Sequence, residues 1–144
     1  MKINSLGHVV IRVTDLKRSE AFYNGTLGLP ICARLDDQGM QMTFFSLGNH
    51  HDFAISRVDG DDVSAKAPGL DHVAFCIGTD LDQLREAKGH LDAAGIKSMP
   101  VDHEVTQSLY IADPDGNGVE LYVDVSDAWR REPQRVARAD ALEL

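Results

Sequence analysis

Cysteine is nearly absent: Cys32 and Cys76 are the two in a chain of 144 residues. They stand in separate apolar stretches, with no C-x-x-C spacing and no histidine paired to either, which excludes a disulfide framework or a zinc–thiolate site. Both are read as free, buried thiols in a reducing compartment. No apolar run approaches the roughly 18 residues needed to span a bilayer, so no membrane partner is expected. The opening "MKINSLGHVVIRV" has no separate apolar segment followed by a small-residue cleavage site, and the cytoplasm is the expected location. Basic residues are scarce, 14 Lys and Arg against 23 Asp and Glu, for a net charge of −9. Nucleic-acid binding rests on clustered cations, and that balance argues against it. The one Arg cluster, in "WRREPQRVARADALEL", is interrupted by acidic residues and is read as a solvated amphipathic helix. What remains, 43% hydrophobic and 26% charged, describes one ordinary globular domain with a core of its own.

The chain looks like one module written twice. "LGHVVIRVTDL" at 6–16 matches "LDHVAFCIGTDL" at 70–81: Leu, a small or acidic residue, His, an apolar strand, then Asp-Leu. Each is followed by a helical pattern, the first ending near Gly25 to Gly28. The second carries Leu81, Leu84, Ala87 and Leu91 at helical spacing, with Gly95 as its stop. Asp15 and Asp80 are placed as N-caps. Three short strand-like runs come after each helix, separated by turn-rich segments. The expected class is therefore α+β, a single domain over 1–126 built from two βαβββ modules, about 5–58 and 69–126. A polar linker at 59–68 joins them, and a helical tail covers 127–144. The repeat is too long for a solenoid unit and reads as an internal duplication.

Alternation along the strands sorts residues by face. His8, Val10 and Arg12 share one face of the first strand, and His72 and Ala74 the matching face of the fifth. On the last strand Glu120 and Tyr122 oppose Val119, Leu121 and Val123. The bulky apolar sets suit packing under the helices, which leaves His8, His72 and Glu120 on the inner faces of a curled sheet. Alone, a strand histidine is more often packed or solvated than a ligand. Two histidines at one place in duplicated halves, joined by a strand carboxylate, form a 2-His-1-carboxylate set suited to Fe(II), with Mn(II), Ni(II) or Zn(II) as alternatives.

With those residues in place, "GHVVIRVTDLKRSEAFYNGTLGL", "LDHVAFCI" and "DPDGNGVELYV" resemble the signatures of the vicinal oxygen chelate superfamily. It includes extradiol ring-cleaving dioxygenases, glyoxalase I, methylmalonyl-CoA epimerase and drug-resistance proteins. The resemblance covers residues 5–124. It implies paired βαβββ modules making a curled mixed sheet around a metal, in a homodimer or higher homo-oligomer. "HHDFAI" at 50–55 resembles the segment where type I extradiol enzymes carry an acid/base histidine, here His51. "DHEVTQSLYIADPDGNGVE" resembles the region holding a further histidine, here His103, and a tyrosine ten residues before the metal glutamate, here Tyr110. The implied activity is Fe(II)-dependent cleavage of a catecholic ring with O₂, the aromatic diol and O₂ being the small-molecule partners. Three protein ligands leave room on the metal for both, and a histidine titrates in the range needed to take and return a catechol proton.

The rival places Asp52 as a fourth ligand, the first-half counterpart of Glu120, as in glyoxalase and epimerase relatives; an isomerase or lyase follows. Plain strand parity favours Asp52 inward. The resemblance favours His51, re-aimed at the strand edge, and carries more weight because His103 and Tyr110 agree with it. A third reading is a non-catalytic binding protein of the resistance type, against which the intact triad argues. Of the remaining histidines, His50 is read as a solvated turn residue and His90 as an exposed helix residue.

Overall fold

In each half a short helix is laid across strands whose apolar residues alternate. The computed structural model describes residues 8–37, 39–48, 52–59, 70–132, 135 and 138–144. Two compact units divide the chain, residues 1–69 and 70–144. Most of the expected linker, like His50 and His51, lies outside the described residues.

Unit 1 runs β1 (Val9–Val13), α1 (Leu16–Glu20) continued by one π-helical stretch (Ala21–Thr26), β2 (Ile31–Asp37), β3 (Met40–Phe45) and β4 (Phe53–Arg57). Its sheet has the order β1-β4-β3-β2, with β1 parallel to β4 and the other pairs antiparallel. Ile11 and Val13 are buried, whereas Val10 and Arg12 on the other face are exposed. Tyr23 packs its ring 4.8 Å from Phe53 and 6.1 Å from Phe45, the centre of this core. Asp15 caps α1 as expected, its Oδ1 accepting from the Arg18 N–H at 3.1 Å.

Glu20, at the end of α1, accepts a two-pronged bond from Arg34 on β2, at 2.8 and 3.0 Å, and a 2.5 Å bond from the Thr43 hydroxyl on β3. The Arg34 bonds hold the Glu20 carboxyl below its ordinary value of 4.5. A lowered folded value means that this contribution to stability is present above pH 4.5 and is lost as the pH falls through the lower value. Urea midpoints of Glu20→Gln are therefore expected to decline less than wild type on the acid side of pH 4.5. An equal decline in both proteins would contradict this.

Unit 2 repeats the design: β5 (His72–Gly78), α2 (Leu81–Ala93), β6 (Met99–Asp102), β7 (Thr106–Ala112) and β8 (Gly118–Asp124). Its sheet order, β5-β8-β7-β6, matches that of unit 1, and β9 (Asp140–Ala141) adds an edge beside β6. Asp80 caps α2 in a reciprocal box with Gln83, Gly95 ends it at φ +72°, and Leu84 and Leu91 bury one stripe against the sheet. The α+β class and the duplication are thus both present, as two mixed sheets, one per unit.

Two expectations are corrected here. Among its described residues the tail holds a 3₁₀ turn (Ala128–Arg130), a further 3₁₀ residue at Arg135 and then β9, in place of one continuous amphipathic helix. The open edge of β6 offers backbone partners that the local sequence does not reveal. Cys32 and Cys76 are exposed rather than buried. Cys32 lies on an edge strand at a register shift, and Cys76 is in phase with His72 and Ala74 on the open face.

Candidate functional site

Glu120 is 8% exposed, in the middle of β8. Ala74 of β5 and Tyr110 of β7 are its cross-strand neighbours, so it sits in the interior of the sheet. The turn "DPDGNG" delivers it there. Buried Asp113 accepts from the Asp115 and Asn117 N–H groups at 2.9 and 2.8 Å, and Gly116 takes φ +84° to complete the bend. A buried carboxylate is costly unless paired. Glu120 Oε1 accepts from the Ser108 hydroxyl at 2.6 Å, and Oε2 lies 3.1 Å from His72 Nε2.

His72 faces carboxylates from both ring nitrogens, since its Nδ1 is 2.7 Å from Asp71 Oδ2. A neutral imidazole has one N–H to give. With that proton on Nδ1, the Nε2 lone pair points at Glu120, an arrangement that a shared cation relieves. Two ligand atoms each about 2.1 Å from an ion, at right angles, lie about 3.0 Å apart. The His72–Glu120 spacing fits adjacent ligands of one divalent metal, and Asp71 behind Nδ1 is the support such a histidine ordinarily has. Gly118 makes the placement possible. It pairs with His72 across β5 and β8, where a Cβ would lie 2.5 Å from the Asp71 carbonyl oxygen.

Tyr110 and His103 join this face. The Tyr110 ring packs edge-on to His72 at 5.4 Å, and its hydroxyl is 3.0 Å from His103 Nε2. Burial raises the Tyr110 hydroxyl above its ordinary value of 10.0, and the negative charge of Glu120 with hydrogen bonding to it raises it further. One phenol proton thus stands between two acceptors, Glu120 and His103. Beside them an open cavity of about 490 Å³ is lined by Ala74, Val105, Thr106, Glu120, Tyr122, Asp124 and Trp129, a mostly apolar wall with two carboxylates, Glu120 and Asp124. His90 is exposed on α2, as expected.

In unit 1, His8 is exposed and immediately precedes β1, in phase with Val10 and Arg12. Among the described residues no three His, Cys, Asp or Glu side chains converge as a metal cluster; the convergent pair in unit 2 is His72 and Glu120. His51 lies outside the described residues. Asp52 Oδ2 accepts from the Leu47 N–H at 2.7 Å, closing the loop between β3 and β4. The hydrogen-bond register corrects its expected equivalence to Glu120. His8 matches His72, so the pair Val10–Ala54 matches Ala74–Glu120. Ala54 occupies the counterpart position, and Asp52, two residues earlier, corresponds to Gly118.

The glyoxalase/bleomycin resistance protein/dioxygenase superfamily model matches residues 5–121. The chain belongs to this superfamily. Within it, the chain is 35% identical over 124 residues to biphenyl-2,3-diol 1,2-dioxygenase 3 of Rhodococcus globerulus, covering 83% of this chain and 63% of that protein. It is 28% identical to catechol-2,3-dioxygenase of Bacillus subtilis (strain 168), covering 88% and 44%. Glutathione transferase FosA of Serratia marcescens is 29% identical, covering 84% and 82%. The chain therefore spans less than two thirds of the two dioxygenases it matches. The fold is shared with a glyoxylase/bleomycin resistance protein/dioxygenase domain from Frankia sp. EAN1pec, with TM-score 0.72 and 21% identity over 85% of this chain and 99% of that one. Among the described residues, no helix is long and apolar enough to cross a membrane.

Three residues of this superfamily member escaped the sequence reading. Ser108 shares a strand face with Tyr110, two residues away, and that parity was its available signal. Asp71 precedes a ligand-type histidine, and Gly118 ends a turn that already explained its glycines. Nothing local marks either as support for His72.

Proposed function

We propose that the chain is a divalent-metal dioxygenase of the extradiol type, cleaving a catecholic ring with O₂. His72 and Glu120 would hold Fe(II), and the repeat together with the resemblance offers His8 as the third ligand type. Bound there, Fe(II) supplies open coordination positions and redox capacity for a chelating diol and O₂. The observation that carries the reading is the continuous row His103–Tyr110–Glu120–His72 on one sheet face.

In this reading Ser108 fixes one oxygen of Glu120, leaving the other aimed past His72. The Tyr110 hydroxyl, kept neutral by its raised pKa, is a hydrogen-bond partner whose oxygen accepts from a substrate hydroxyl, and His103 orients it. Tyr122 and Trp129 line the cavity that receives the aromatic ring. His51 keeps the acid/base role that the resemblance gives it. Ala54 in the place opposite Val10 favours three ligands over four. A homodimer or higher assembly belongs to the same reading, with the resemblance as its support.

Anaerobic loading with Fe(II), then exposure to air with a panel of catechols including 2,3-dihydroxybiphenyl, is expected to give yellow ring-fission products. No turnover by protein shown to contain Fe(II) would count against the assignment. A second reading, a metal-dependent isomerase, lyase or transferase, draws on length, since the chain covers 82% of the FosA relative. It requires turnover of a thiol adduct, or with a thiol co-substrate, without O₂ consumption.

A further inference from the structure

We propose that Glu104, Arg135 and Arg138 form a latch through which the C-terminal tail fixes the tautomer and direction of the His103 ring, and thereby the Tyr110 hydroxyl. The catalytic consequence rests on the ring-cleavage reading; the structural device does not.

The turn between β6 and β7 is strained. Glu104 takes φ +68°, the one non-glycine residue with positive φ among those described. The Val105 N–H donates to the His103 carbonyl at 2.7 Å, so Glu104 is the centre of a γ-turn of the rare, positive-φ kind. Such a conformation persists when its surroundings over-determine it. Here Asp102 Oδ1 accepts from the Glu104 N–H at 2.7 Å. The Glu104 carboxylate is then gripped from outside the turn: Arg135 Nη1 donates to Oε1, and Arg138 Nε lies 3.0 Å from Oε2 as an ion pair. Two residues beyond Arg138, β9 pairs with Val101 and Asp102, the strand leading into the turn.

The latch reaches the site through one backbone atom. His103 Nδ1 is 2.6 Å from the Arg138 carbonyl oxygen. A carbonyl only accepts, so Nδ1 carries the proton. In the neutral ring Nε2 is then an acceptor, and the Tyr110 hydroxyl 3.0 Å away donates to it. That steers the phenol proton toward His103 and away from Glu120, whose oxygens stay bare for Ser108 and a metal. Release of the tail frees the ring to protonate Nε2 instead, which turns the Tyr110 proton back toward Glu120. Glu104, Arg135 and Arg138 are positioning residues, since none reaches the cavity lining.

The test is ¹⁵N NMR of the metal-free, full-length chain, with His103 signals assigned by their loss in His103→Gln. Wild type is expected to hold His103 as the Nδ1–H tautomer. In Glu104→Gln, and separately in Arg135→Ala/Arg138→Ala, the ratio of Nδ1–H to Nε2–H is expected to fall roughly tenfold, about the worth of one good hydrogen bond. In the Fe(II)-loaded variants kcat for ring cleavage is expected to drop about tenfold with KM within about twofold, typical for loss of an outer supporting contact. A wild-type ring protonated at Nε2, or a tautomer ratio unchanged in the variants, overturns the latch. If Glu104→Gln fails to fold, the arginine pair decides. Failure of wild-type ring cleavage with the tautomer shift intact removes the reaction and keeps the latch; the reverse removes the latch alone.

Discussion

Glu120→Ala is expected to abolish tight metal binding and, with it, turnover. Losing an outer contact to a metal ligand typically costs 10–100-fold in affinity, so removing a ligand itself should weaken Fe(II) binding by more than about 100-fold. The metal-free protein should tolerate the change well. Glu120 is buried against a histidine and a hydroxyl, and such a carboxylate costs desolvation that its partners repay only in part. Its removal thus separates binding from folding. Metal at a hundred times its Kd stabilises wild type by about 2.7 kcal/mol, and the variant should gain nothing. Paired thermal scans with and without Fe(II), beside metal analysis of dialysed protein, read both effects. Retention of one Fe(II) per chain by Glu120→Ala would remove Glu120 from the ligand set.

Tyr110→Phe should leave the metal in place and slow the chemistry. The ring, and with it the edge-on contact to His72, is kept; the hydroxyl between His103 and Glu120 is lost. A positioned hydrogen-bonding or proton-transferring group contributes about 10²–10⁴-fold, and kcat should fall about 100-fold with a smaller change in KM. His103→Ala acts on the same hydroxyl, so the double variant should lose little more than either single one. Because the Tyr110 hydroxyl is raised above 10.0, it is predominantly neutral below pH 10, and no limb of the wild-type pH–rate profile centred in the neutral range should vanish in Tyr110→Phe. A variant within about threefold of wild type would leave the tyrosine a packing residue.

The repeat, the strand faces and the pairing of His72 with Glu120 were legible in the sequence because each follows from local periodicity. Alternation alone put Glu120 and Tyr122 opposite Val119, Leu121 and Val123, and the buried set confirms that phase. What escaped depends on contacts between distant segments. Asp52 was matched to Glu120 as its first-half counterpart, with strand parity in support, whereas inter-strand register gives that place to Ala54. The tail was read as a helix from its charges alone, although β6 offers it an edge. Ser108 looks like any surface polar residue until the sheet brings it to Glu120, and Asp71 is marked as support only by the turn of its side chain onto the ring of its neighbour His72. Cys76 seemed buried because its neighbours are apolar, yet it shares the open face of His72.

The most direct test of ring cleavage is a reaction under ¹⁸O₂ with the Fe(II)-loaded chain and the best catechol found in the panel. A dioxygenase consumes one O₂ per diol and places both ¹⁸O atoms in the ring-fission product, which mass spectrometry reads as a gain of about four mass units. Turnover without label in the product, or without O₂ consumption, would contradict the account and leave the isomerase, lyase or transferase reading in its place.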